Sequence, residues 1–149
     1  MRITLDNPAS APQPLGPYSQ VARVELPGGG ALLYLSGQIG EGDSLGAQSR
    51  RVFETLDSLL RAHGAGLGDI VNIRTFLTDI GGLPDYAAVR REFLTGTPPT
   101  STTVEVPRLF RPEALIEVEA VAAVPAGRDT AGRDTAGRDT AAHAPPPGS

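Results

Sequence analysis

The chain spells Ser-Thr-Thr-Val-Glu-Val-Pro-Arg at 101–108 and Leu-Ile-Glu-Val-Glu-Ala at 115–120. Both stretches alternate small polar or acidic side chains with β-branched ones at period two, which is the period of a strand. The first is therefore expected to show Ser101, Thr103 and Glu105 along one face, and the second Glu117 and Glu119. Hydroxyls and carboxylates then stand in rows.

Working outward from these strands, Gly-Thr-Pro-Pro at 96–99 is a break. Before it, 83–94 predicts a helix with Tyr86, Val89 or Arg90, and Phe93 on one side, and 69–77 predicts a strand. Further back, from Leu45 onward, Val52, Phe53, Leu56, Leu59, Leu60 and His63 recur at helical spacing. Arg50, Arg51, Glu54, Asp57 and Arg61 take the opposite face, and Gly64 and Gly66 act as stop signals. Residues 19–26 alternate, 31–35 form a continuous apolar run, and Pro27-Gly28-Gly29-Gly30 between them supplies a hairpin loop. With a short additional strand at 2–5, the order ββαβαββ predicts an α+β layer, a mixed sheet with two helices on one face. Such a layer leaves its other sheet face bare, and association is the usual way to cover it.

The 149 residues, 40% hydrophobic, suffice for one core and hardly for two. A net charge of −4 argues against the basic surface that nucleic acid or an anionic membrane selects. Without cysteine there is no disulfide, thiolate nucleophile or cysteine metal ligand, which fits a reducing compartment. The start at Met1 lacks the apolar core of a signal peptide, and no run approaches membrane-spanning length, so a cytoplasmic protein is expected. The domain is expected to occupy 1–125. From 126 to 149 the chain repeats Gly-Arg-Asp-Thr-Ala three times and ends Pro-rich, a composition with nothing to bury, and reads as a disordered tail.

Single residues have ordinary readings. Tyr18, after Gly16-Pro17, reads alone as a packing aromatic, and Ser36 as a strand-end hydroxyl bonded to backbone. The two histidines, His63 on an apolar helix stripe and His143 in the tail, support neither a nucleophile–base pair nor a metal site. Gly28-Gly29-Gly30 has no following helix and no Lys-Ser/Thr pair to make a phosphate cradle. Glu117 and Glu119 repel one another unless solvated or paired, and Arg74, Arg108 and Arg111 are the available cations.

Taken together, Gly-Pro-Tyr-Ser-Gln at 16–20, Tyr-Leu-Ser-Gly-Gln-Ile at 34–39 and the two strands quoted first make a pattern that resembles the Rid (reactive intermediate deaminase) family over roughly residues 7–124. The resemblance implies a chorismate mutase-like fold, a homotrimer whose three sheets pack into a barrel, and ligand clefts between subunits. It also implies a small-molecule ligand and no cofactor or metal. By the same resemblance Glu117 holds the attacking water, the Thr103 backbone N–H is an oxyanion donor, and Tyr18, Ser36, Gly37, Phe93 and Ser101 shape or bind in the cleft. The second helix looks about one turn shorter than in typical members, which alters the cleft wall near Phe93.

One position departs from the pattern. Imine-hydrolysing members carry an arginine two residues before the place of Thr103, and this chain has Ser101 there. A guanidinium grips a substrate carboxylate with two charge-assisted bonds where a hydroxyl offers one neutral bond. Losing such a buried pair costs about 2–5 kcal/mol. The expected function is therefore binding and transforming a small imine, enamine or carbonyl intermediate other than a standard 2-imino acid. Two alternatives stand beside it: 2-iminobutanoate/2-iminopropanoate deamination with Arg108 or Arg111 replacing the lost fork, and a non-catalytic ligand-binding or stabilising module. A ribonuclease label is attached to some relatives, and the acidic charge argues against it here.

Overall fold

The computed structural model describes residues 1–128. Its strands are β1 (Ile3–Asp6), β2 (Val21–Glu25), β3 (Ala31–Gln38), β4 (Ile70–Leu77), β5 (Thr100–Glu105) and β6 (Ile116–Val124), with helices α1 (Leu45–Arg61) and α2 (Leu83–Phe93). They form one six-stranded sheet in the order β1-β2-β3-β6-β4-β5. Every neighbouring pair is antiparallel except β4–β5, which α2 connects in parallel. The α+β class and the element order match the expectation, and the short first strand is present. Several boundaries differ: β2 is shorter than 19–26, and β3 runs three residues past 35 to Gln38. β5 stops at Glu105, just ahead of Pro107, which has no N–H to give a ladder, and β6 runs four residues past 120 to Val124.

α1 starts where Ser44 accepts the Ala47 N–H at 3.1 Å. It ends where Gly64 takes φ +77° and the Ala65 N–H closes back on the Leu60 carbonyl at 3.0 Å. Its stripe of Val52, Phe53, Leu56, Leu59 and Leu60 is fully buried against one sheet face, each side chain contributing about 2 kcal/mol. α2 docks beside it: Phe53 stacks on Phe93 at 5.3 Å and on Tyr86 at 6.3 Å, and the Tyr86 hydroxyl meets Thr75 Oγ1 of β4 at 2.7 Å. His63, just past α1, lies nearly buried with Nε2 3.0 Å from Asp6 Oδ2 of β1. Burial pushes its pKa below the ordinary value, against the pull of Asp6.

Among the described residues no helix covers the opposite sheet face. Ile3, Leu5 and Tyr34 are exposed there, alongside the half-buried Val121 and Ala123 of β6. Among the described residues no helix is long and apolar enough to cross a membrane. Of the stretch read as a tail, residues 126–128 are described, and Arg128 Nη1 lies 2.6 Å from Asp69 Oδ2. The remainder, 129–149, lies outside the described residues.

The loop that delivers the chain into β6 is held by one side chain. Gln48 of α1, 2% exposed, donates through Nε2 to the carbonyls of Gly42 and Glu113, each at 3.0 Å, and accepts the Leu115 N–H at 2.8 Å. Gln48→Ala leaves those backbone groups without their partner, and the unfolding free energy in a urea titration is expected to fall by about 2–3 kcal/mol. A change under about 0.5 kcal/mol would show that water replaces the amide.

Candidate functional site

The site begins with an irregularity in the central ladder. Between the pairs Leu35↔Ala120 and Gln38↔Val118, β3 advances three residues while β6 advances two. The extra residue makes a bulge at Ser36–Gly37, a device that bends a strand and re-aims its side chains. Ser36 anchors it: its N–H donates to the Gln20 carbonyl at 2.9 Å and its Oγ to the Ser19 carbonyl at 2.7 Å. This is the strand-end role that Ser36 has when read alone, and it ties the bulge to the turn bearing Tyr18. That turn is tight, with the Tyr18 N–H on the Gly16 carbonyl at 2.9 Å and the ring 43% exposed.

Gly37 is needed for space rather than for backbone freedom, since it is not among the glycines of positive φ. A Cβ at this position would overlap the Glu117 carboxylate, which lies against it from β6. Glu117 is half-buried and forms no hydrogen bond or ion pair among the described residues. Burial raises its pKa above the usual carboxylate value, and the neighbouring Glu119 raises it further. Glu119 has the cation, Arg74 Nη1 of β4 at 3.3 Å. The two carboxylates that the alternation puts on one face therefore differ in state, one paired and one alone.

Two grooves flank the bulge. One, of about 590 Å³, is lined by Tyr18, Gly37, Gln38 and Arg111 among others. The second, of about 340 Å³ on the bare sheet face, is lined by Ser36, Tyr34, Arg74 and Glu119 among others. Of the arginines considered as substitute anchors, Arg111 thus stands beside Tyr18 and Gly37, with its nearest carboxylate contact, to Glu113, at 3.8 Å. Arg108 is exposed.

Within one protomer the expected constellation divides. Tyr18, Ser36, Gly37 and Glu117 come together. Thr103 sits in register with Thr75, whose hydroxyl faces α2, and the Ser101 hydroxyl accepts from Arg90 Nη1 of α2 at 2.8 Å. Both side chains are thus on the helix-covered face, opposite to Glu117, which pairs across with Phe76. Phe93 lines neither groove: its ring is stacked on Phe53, with the Arg50 guanidinium 5.6 Å from its centroid. Within one protomer Phe93 packs between the helices, because the aromatic stripe of α2 has α1 as its nearest apolar surface.

The Thr103 main chain has a separate position. The Val106 N–H donates to the Leu77 carbonyl at 2.8 Å. By strand alternation the N–H groups of Thr102 and Val104 turn toward β4, and those of Ser101 and Thr103 turn outward on the free edge of the sheet. Sequence reading did not find Gln48 or Arg90 as site-supporting residues. Arg90 is visible in the sequence only as an alternative to Val89 on the stripe of the second helix.

The sequence matches the family described as Endoribonuclease L-PSP over residues 8–124. It is 36% identical over 121 residues to protein DfrA of Myxococcus xanthus, covering 75% of this chain and 88% of that one. It is 30% identical to a 2-iminobutanoate/2-iminopropanoate deaminase of Dermatophagoides farinae, covering 76% and 91%. A crystal structure of a YjgF/YER057c/UK114 family member from Mycobacterium tuberculosis superposes with a TM-score of 0.65 at 31% identity, covering 70% of this chain and 85% of that one. The chain belongs to this family, the Rid or YjgF family.

Gly37→Ala tests the contact at the bulge. The group it displaces is the free end of a flexible side chain, so the thermal midpoint is expected to move by no more than about 3 °C. Any Glu117-dependent activity should fall at least about tenfold as the carboxylate is displaced. Full activity in the Gly37→Ala variant would detach Glu117 from the bulge.

Proposed function

We propose that the protein binds a small reactive imine, enamine or carbonyl compound in a cleft between copies of the chain, and transforms it with Glu117 as the proton-moving group. The observation that carries this reading is a half-buried carboxylate without a cation, packed on a glycine at a strand bulge, its pKa raised toward the range useful for acid–base work. For an imine, Glu117 takes a proton from water as its oxygen adds to the C=N carbon. The proton passes to nitrogen, and collapse of the tetrahedral adduct gives the carbonyl compound and ammonia. The outward Thr103 amide suits a donor to the adduct oxygen. Since Glu117 and the β5 edge lie on different sides of one protomer, a cleft using both takes one from each of two copies. The homotrimer meets that need and covers the bare sheet face. No step calls for a cofactor.

Deamination of 2-imino acids is the second reading, supported by the similarity to the Dermatophagoides farinae deaminase and by Arg111 in the groove with Tyr18 and Gly37. An RNA substrate is disfavoured by the net charge of −4 and the adjacent acids Glu117 and Glu119, which repel phosphate.

Glu117→Gln is expected to lower kcat on an imine generated in situ by about 10²-fold or more, with ligand binding retained. Binding retained and turnover absent in both forms would mark a non-catalytic binding module. The charged carboxylate is the base, so activity falls as pH drops through the raised pKa of Glu117. Glu119→Gln removes one cause of that shift, and the acid limb of kcat/KM should move to lower pH; a limb that stays fixed would assign the titration to another group. Sedimentation should give roughly three times the 15.5 kDa chain mass, and a monomer at micromolar concentration would dismantle the shared cleft.

A further inference from the structure

Arg90 differs from most cations of the sheet and helices, and unlike the exposed Arg91 beside it on α2 it is half-buried and held by a hydroxyl. Arg50, Arg51, Arg61, Arg74 and Arg128 each lie within 3.3 Å of a carboxylate oxygen. Arg90 has no carboxylate partner among the described residues, and its guanidinium donates one bond, Nη1 to Ser101 Oγ at 2.8 Å. A guanidinium has five donors in a planar fork, so most of its capacity remains. The hydroxyl that holds it belongs to the edge strand. On that edge the Ser101 and Thr103 N–H groups turn outward, with no strand beyond them among the described residues. A half-buried cation is thus bonded to the edge strand that carries two outward amides spaced two residues apart, and each of these groups favours an anion.

We propose that Arg90, oriented by Ser101, is the anion anchor of the cleft, and that the ligand class is small carbonyl or imine compounds bearing a carboxylate. This rests on the reading of the cleft given above and names its specificity-determining residue. Position 101 carries no charge of its own; its hydroxyl presents a charge that originates eleven residues earlier on α2. The carboxylate pairs with Arg90 while the outward amides are left for the reacting oxygen.

Calorimetric titration with pyruvate and with its uncharged analogue pyruvamide tests this on the full-length protein. The protein should bind pyruvate tighter than pyruvamide by about tenfold or more, the range of a charge-assisted pair over a neutral one. Arg90→Ala should abolish the preference, Arg90→Lys should keep part of it, and Ser101→Ala should reduce it by loosening the guanidinium. Glu117→Gln should leave the preference intact while removing turnover, so loss of catalysis and loss of the anchor are read separately. Equal affinities in the unmodified protein, binding of neither probe, or a preference that survives Arg90→Ala would each overturn the proposal. So would a preference abolished by Arg111→Ala instead. A fall in sedimenting mass for both Arg90→Ala and Arg90→Lys would overturn it too, by assigning Arg90 to a contact between copies.

Discussion

β6 is the strand against which the rest of the molecule is ordered. Its nine residues alternate without a break: Ile116, Val118, Ala120, Ala122 and Val124 are buried, and Glu117, Glu119, Val121 and Ala123 are half-buried between them. It lies between β3 and β4, so its apolar set meets α1 across the covered face and its acids are delivered to the bare one. A slip of one residue would put two carboxylates under α1. The register is therefore enforced by the cost of burying charge, and Gln48 fixes where the strand begins.

On that frame the two glutamates acquire different chemistry from the same alternation. Glu119 faces Arg74 directly across the β4–β6 ladder, so its charge is compensated. Glu117, one step along the face, meets Phe76 instead of a cation and rests on Gly37. Its ionised form loses water contact without gaining a partner, and the proton is held more firmly as a result. The bulge matters because a regular β3 would place an ordinary Cβ-bearing position here. Glycine at the bulge is a packing requirement set by the acid across the ladder.

Much of this was legible in the sequence, and the parts that were not have a common cause. Helices and strands followed from periods of 3.6 and two, since the apolar positions of 52–60 and 116–124 obey them strictly. The pairing of Gly37 with Glu117 was legible only as a family pattern, because a bulge is a relation between two strands eighty residues apart. Period two also tells which residues share a face without telling which face a helix covers. That is why Ser101 and Thr103 were grouped correctly with each other, while their separation from Glu117 appeared only once the β4–β5 register was known. Gln48 and Arg90 escaped because they act on partners sixty-seven and eleven residues away; Gln48 falls in an unremarked helical position, and Arg90 reads only as an alternative to Val89 on its helix stripe.

Keeping these groups apart also governs reactivity. Among the described residues Glu117 is a carboxylate without a cation and Arg90 a cation without a carboxylate. On one surface they would form a pair, lowering the pKa of the acid and occupying the guanidinium, and neither would remain available to a ligand. The sheet holds them on opposite faces, so a protomer cannot neutralise itself. A neighbouring copy can bring the β5 edge of one chain toward the Glu117 face of another, leaving a gap for a molecule that needs a base at one end and a cation at the other. Polar groups left unpaired in one chain are thereby available to select a ligand in the proposed shared cleft.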